Sequence, residues 1–295
     1  MENYKKLIGS ITIITFSYAA SRVLGFFREI LLANWAGVSE ATDTLDLAFI
    51  IPDFLFYLSA GGYLAITLIP IMSEKTKDEL NNYFLSILYG MSLIFVLFSL
   101  LTYSFRFQFA ELLGVKSLDF FVEVFTPIIF SQVFFFVGAI LMSYQYFHDN
   151  FKYAALAPVV YNSTIIFFGW LNSSTPEGTI KGFAIGTLIG SVMGHVLIQI
   201  YGAKKSGLSF DLILPKLIHI KDYITISLPL ILGQSIAVVD EQLFRVFGSF
   251  LAAGSIATFR YARRIALLPV GIIAQAVGVA TVSYTHLTLP TKRIV

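Results

Sequence analysis

Ser21-Arg22-Val23-Leu24-Gly25-Phe26-Phe27-Arg28-Glu29 lies in the middle of a long apolar run, Leu7 to Trp35. A mostly apolar stretch precedes Arg22, so its guanidinium cannot easily snorkel to a membrane surface. A cation at that depth costs about 2.5–3.5 kcal/mol on the mildest insertion scale. Two readings follow. The arginines face a wet cavity or an anion, or they are neutralised inside a bundle by Glu29, Asp43 or Asp46. Gly25, between Arg22 and Arg28, lets a neighbouring backbone or ligand come close. Guanidinium forks match phosphate oxygens better than any other side chain.

Composition sets the class. Of 295 residues, 57% are hydrophobic and 13% charged, with a mean hydropathy of +0.79. Soluble domains carry about 25% charged residues, so the chain reads as an all-α polytopic membrane protein. The net charge of +2 is small and its basic residues are scattered, which argues against a nucleic-acid partner. There is no cysteine for a disulfide or a thiolate. His148, His195, His219 and His286 stand apart, without metal-ligand spacing. No cleavable signal peptide is apparent; the first run reads as a retained membrane helix.

Apolar runs near the twenty residues a bilayer requires fall at 7–35, 44–72, 82–105, 119–147, 153–172, 180–202, 222–250 and 255–281, about eight helices. Turn chemistry fills the breaks, as in Asn172-Ser173-Ser174-Thr175-Pro176-Glu177-Gly178 and Ala252-Ala253-Gly254-Ser255. The connection 204–221 is longer and amphipathic, suited to lie along the membrane surface and join two bundles. Alternate loops carry Lys5 and Lys6, Lys75 and Lys77, Lys152, then Lys204, Lys205, Lys216 and Lys221. The opposite loops hold only Arg106, Lys116 and Lys181, which places the N-terminus and the 204–221 connection in the cytoplasm, with a bacterial inner membrane as host. Gly182, Gly186, Gly190 and Gly194 form a small-xxx-small face that another helix should approach closely. Pro52, Pro70, Pro127, Pro158, Pro229 and Pro269 can kink or bound their helices.

Several blocks carry a resemblance. Ser21-Arg22-Val23-Leu24-Gly25-Phe26-x-Arg28-Glu29, Ala41-Thr42-Asp43, Ala48-Phe49-x-x-Pro52-Asp53, Ile69-Pro70 and Ser73-Glu74 resemble the first two helices of the MurJ (MviN) family. Ala157-Pro158-x-x-x-Asn162 and Tyr261-Ala262-x-Arg264-x-x-x-x-Pro269 are similar to its fifth and eighth helices. The resemblance implies a MOP-type exporter fold, two bundles flanking a cavity. Its activity would be outward translocation of the undecaprenyl-diphosphate-linked peptidoglycan precursor, lipid II, by alternating access. Arg22, Arg28 and Arg264 would hold the diphosphate, and Asp43 would be a functional acid. The chain departs from the family pattern at Phe56, Tyr57 and Gly61, where basic or acidic residues are common, and at Arg263 and Leu267, where acids occur.

On this reading, residues 1–203 are a six-helix bundle, 204–221 the amphipathic cytoplasmic connection, and 222–281 the first two helices of a second bundle. Val282 to Thr291 match one frame of a transposase sequencing adaptor, so 282–295 read as an artefact and the chain as a truncated fragment.

Other polar residues are weighed by position. Glu241 and Arg245, four apart, can neutralise each other, and Asp240 stays open as a coupling-ion or cavity residue. Asn162, Ser163 and Thr164 suit hydrogen bonds to a neighbouring helix. No nucleotide-binding loop occurs, no cofactor is implied, and no nucleophile–base pair suggests an enzyme. The partners expected are a lipid-linked diphosphate, membrane lipids and a coupling cation. A flippase for another polyprenyl-linked glycan and a MATE-like small-molecule exporter are the alternatives, though an exporter of cationic drugs should line its cavity with acids.

Overall fold

The computed structural model describes the backbone of residues 2–59 and 63–267, and within it the side chains of 19–55, 67–76, 79–230 and 239–267. The tail 282–295, Gly61 and the side chains of Phe56 and Tyr57 lie outside the described residues. The described residues form helices, with no strand among them. α1 is Glu2–Ala36, α2 Glu40–Ala48, α3 Ile50–Ser59, α4 Tyr63–Ser73, α5 Lys77–Ser104 and α6 Arg106–Leu112. α7 is Leu118–Phe147, α8 Lys152–Leu171 and α9 Pro176–Ser191, followed by a π-helical turn, Val192–Leu197. α10 is Ile198–Lys205 and α11 Leu217–Gly248; α12 covers 255–267. Four helical stretches among the described residues are long and apolar enough to cross a membrane: Glu79–Ser104, Leu118–Phe147, Lys152–Leu171 and Pro176–Lys205.

Local chemistry sets the boundaries. α1 stops at Gly37, whose φ of +64° is open to glycine at little cost. Ser39 caps α2 by accepting from the Thr42 amide at 3.3 Å. The run expected to be one helix over 44–72 is interrupted at Phe49. The reason is Pro52: it has no N–H to donate to the Ala48 carbonyl, and the ladder resumes with Asp53 N donating to Phe49 O at 2.8 Å. Thr175 caps α9, with Pro176 in its first turn.

α7 is the central post, with α9, α5, α4, α2 and α3 packed against it. One apolar cluster gathers Leu32, Leu45, Phe121, Phe125, Ile128 and Phe183. A second gathers Phe84, Phe136, Ile140, Tyr144 and Ile220. In lipid there is little hydrophobic gain from joining helices, so close fit decides. The glycine face supplies it. A Cβ on Gly186 would lie 2.7 Å from the Ile165 Cα, and one on Gly190 3.1 Å from the Tyr161 carbonyl oxygen. One on Gly194 would lie 2.8 Å from the Ala157 carbonyl oxygen. The glycines of α9 and the π turn therefore seat against α8 at successive turns, as the spacing predicts. The π turn was not legible from the sequence; it carries His195, whose ring meets Phe135 edge-on at 4.5 Å. On the other side, Leu93, Leu97 and Leu101 of α5 are exposed at helical spacing, a face suited to acyl chains.

The connection 204–221 is non-helical over most of its length. α10 runs on to Lys205, residues 208–216 are non-helical, and α11 starts at Leu217 rather than at 222. Side chains of α5 hold this stretch: Asn81 donates to Ser209 at 2.8 Å, and Ser86 accepts from the Lys216 amide at 2.6 Å.

Candidate functional site

A cavity of about 360 Å³ opens between α1, α2, α3, α8 and α9 on one side and α11 and α12 on the other. Arg28, Arg245, Arg260, Arg263 and Arg264 line it, with Glu29, Asp46, Asp53 and Glu241. Phe244 of α11 stacks on Phe259 of α12, ring centroids 3.5 Å apart, which ties these two helices together at the cavity wall.

The charges form two networks. Glu29, buried on α1, is the hub of the first. It pairs with Arg28 at 2.9 Å, with Arg260 at 3.3 Å and with Arg264 at 3.9 Å. Arg260 also reaches Asp46 of α2 at 3.2 Å. Arg28 donates through its other nitrogen to Asn162 Oδ1 at 3.1 Å, tying α1 to α8. In the second network Arg245 bridges Asp53 at 2.8 Å and Glu241 at 3.0 Å. Buried charges survive only when paired and hydrogen-bonded. Here the pairing is incomplete: Arg260 Nε faces Asp46 Oδ2 as an ion pair without hydrogen-bond geometry, and Arg260 Nη2 is buried without a hydrogen-bond partner, as are Glu29 Oε2 and Asp46 Oδ2. Five arginines thus stand against four carboxylates around the cavity, a balance whose chemistry suits an anion.

The structure distributes the expected site residues unevenly. Arg28 and Arg264 come together around Glu29 and line the cavity. Arg22 is exposed and is not among the residues lining it. Six residues of helix turn a side chain by about 120° from its predecessor's face, so Arg22 and Arg28 cannot share one. Asp43 is buried and serves the backbone: it accepts from Gly254 N at 2.6 Å and Ala257 N at 2.8 Å, capping the first turn of α12. Tyr261 Oη donates to the Gly37 carbonyl at 3.3 Å in the same region. Asp240 is exposed on α11. Arg263 and Leu267, where the family pattern has acids, both line the cavity.

Sequence reasoning missed Arg260, and it took Asp46 only as a possible neutraliser. The available signal was the density of arginines at 260, 263 and 264 in an otherwise apolar helix. What could not be read was the partner, since the α2–α12 contact joins residues far apart in the chain.

Four membrane-length helical stretches, two of which line the charged cavity, define a multi-pass α-helical membrane protein. The family model "Lipid II flippase MurJ" matches residues 32–285, and the chain belongs to that family. It is 33% identical over 186 residues to "Lipid II flippase MurJ" of Thermosipho africanus (strain TCF52B), covering 61% of this chain and 38% of the relative. It is 28% identical over 303 residues to "Probable lipid II flippase MurJ" of Buchnera aphidicola subsp. Acyrthosiphon pisum (strain APS), covering 97% and 57%. A solved structure, "Lipid II flippase MurJ, inward closed conformation", superposes with a TM-score of 0.79 at 27% identity, over 94% of this chain and 59% of that one. The chain thus spans between 38% and 57% of the length of these two relatives.

Proposed function

We propose that this chain forms the cavity-bearing part of a flippase that moves lipid II, an undecaprenyl-diphosphate-linked precursor, across the bacterial cytoplasmic membrane by alternating access. The observation that carries this reading is the arginine surplus around a buried carboxylate, at the seam between α1–α3 and α11–α12. Arg28 and Arg264 take the diphosphate, and Arg260 offers Nη2, a buried donor without a hydrogen-bond partner, beside them. Arg22, on a different face of α1, meets the headgroup as it arrives. Asp43 acts through α12, by fixing the helix that carries Arg260 and Arg264. Asp240, exposed on α11, serves as a coupling-ion or cavity residue.

The prenyl tail stays in lipid while the headgroup crosses. Membrane potential can drive the cycle, since each charge moved is worth about 2.3 kcal/mol per 100 mV. The work is transport rather than covalent chemistry. Residues 1–203 form the first bundle, 204–221 the connection, and 222–281 the opening helices of the second, about eight helices in all, with the N-terminus cytoplasmic. The seam closed by Asp43, Arg245 and Arg260 is then the outward gate, as in an inward-closed state.

The test is complementation of a strain depleted of its lipid II flippase. Two genes are compared: this chain, and a chimera in which the remaining helices of the Buchnera relative follow residue 281. Growth with the chimera supports the reading. Its failure despite good expression points to another polyprenyl-linked glycan or a small-molecule exporter.

A further inference from the structure

We propose that the connection between α10 and α11 is a binding site for anionic phospholipid, with Leu212, Leu214 and Leu217 in the acyl region and Lys216 and Lys221 on the phosphate. This is separate from the cavity and from whatever the cavity carries. The first observation is exposure: Leu212 is 100% exposed, Leu214 90% and Leu217 83%. Three leucines left bare in a short stretch need a cover. The second is that the stretch is held in place with those leucines outward. Asn81 donates to Asp211 Oδ2 at 3.1 Å as well as to Ser209, and Tyr89 Oη donates to the Asp211 carbonyl at 3.2 Å. Ser86 holds the Lys216 amide. Leu208 is buried, and Phe210 and Ile213 pack against the core, so their neighbours must point away.

The third observation is depth. The anchors descend along α5 from Asn81 to Gly90, where Pro215 and Ile220 crowd the glycine. That is about 13 Å of helix, and α5 is long and apolar enough to cross the membrane from residue 79 onward. The connection therefore lies against the segment where a membrane helix passes from headgroups into hydrocarbon. In-plane elements bury their apolar face about 5–10 Å into this boundary. The fourth is charge. Lys204, Lys205, Lys216 and Lys221 stand against the single Asp211 in 204–221, with Asp222 just beyond. Lys216 and Lys221 are exposed. Lys221 also borders an open groove with Leu217, Ile218, Ile220, Ile224 and Thr225. An acyl chain in that groove puts its phosphate beside the lysine. The occupant is a lipid rather than a protein because apolar side chains and lysines meet at one membrane boundary.

The chain has no cysteine, so one reporter can be placed at will. A bimane label at Leu212→Cys or Leu214→Cys should be quenched by acyl-brominated phospholipid in nanodiscs, and a label at Glu74→Cys should not. Native mass spectrometry of the detergent-purified chain should show phosphatidylglycerol retained over phosphatidylcholine. Lys216→Gln and Lys221→Gln should each lower that preference about fivefold, with melting temperatures like the parent's. Labels that stay water-exposed in nanodiscs overturn the proposal. So does a lipid preference unchanged in the double lysine variant, or a label covered only when a soluble protein is added.

Discussion

Removing the Asp43 carboxylate should loosen α12 from the first bundle. The carboxylate is buried and accepts two amides, Gly254 N at 2.6 Å and Ala257 N at 2.8 Å. Hydrogen bonds to a charged group contribute about 1.5–3 kcal/mol each, and an amide left buried without a partner costs a comparable amount. The charge also sits at a helix N-terminus, where the dipole adds up to about 2 kcal/mol in partly buried geometry. These contributions overlap, so Asp43→Ala is expected to cost about 3–5 kcal/mol at this contact. Asp43→Asn keeps one acceptor oxygen but loses the charge, and should fall between. Ala257 is fully buried, which makes Ala257→Cys a reporter in a chain without cysteine. A water-soluble thiol reagent should modify it at least about a hundredfold faster in the Asp43→Ala background, the ratio that 3 kcal/mol implies. The melting temperature in detergent should drop in parallel. Unchanged protection at residue 257 together with unchanged melting would refute the idea that this carboxylate ties α12 to α2.

Three further outcomes are expected. Arg245→Ala should destabilise by about 1–3 kcal/mol, because the half-buried Asp53 and the more exposed Glu241 both lose their cation. Arg245→Met combined with Asp53→Leu should recover most of that loss, read as melting temperatures in a double-mutant cycle. Gly186→Ala should cost about 1–3 kcal/mol by overpacking α8, and Gly25→Ala, with nothing near its added Cβ, should be neutral in the same melt. Arg28→Lys should retain partial function in the chimera, since lysine keeps the charge but cannot span Glu29 and Asn162 as the guanidinium does.

Several features were readable in advance for definite reasons. Hydropathy marked 82–105, 119–147, 153–172 and 180–202, which coincide with the four membrane-length stretches among the described residues, because lipid forces apolar side chains outward and backbone bonds inward. The glycine spacing marked a face for close helix packing, because only a missing Cβ lets backbones meet at each turn, while the identity of α8 as the partner came from the fold. Asn162 bonds across helices as its type and depth imply. Arg28 and Arg264 were visible through the family motif, and the structure sets both around Glu29. What stayed hidden depends on long-range pairing or on helix phase. Arg260 meets Asp46 and Glu29, and Arg245 meets Asp53, across most of the chain. No local periodicity encodes such partners. Arg22 and Arg28 share the family motif, but their spacing puts them on different faces of α1. The family resemblance marks Asp43 as a functional acid, and its backbone partners on α12 follow only from the fold.

The most direct measurement is the affinity of the detergent-purified chain for undecaprenyl diphosphate, by native mass spectrometry, set against its Arg28→Ala and Arg264→Ala variants. A charge-assisted contact to phosphate is worth roughly 1.5–3 kcal/mol, so each variant should bind at least about tenfold more weakly, while binding of undecaprenol, which lacks the phosphates, should not change. Equal affinity for the diphosphate in parent and variants would contradict the claim that this arginine-lined cavity is where the headgroup is held.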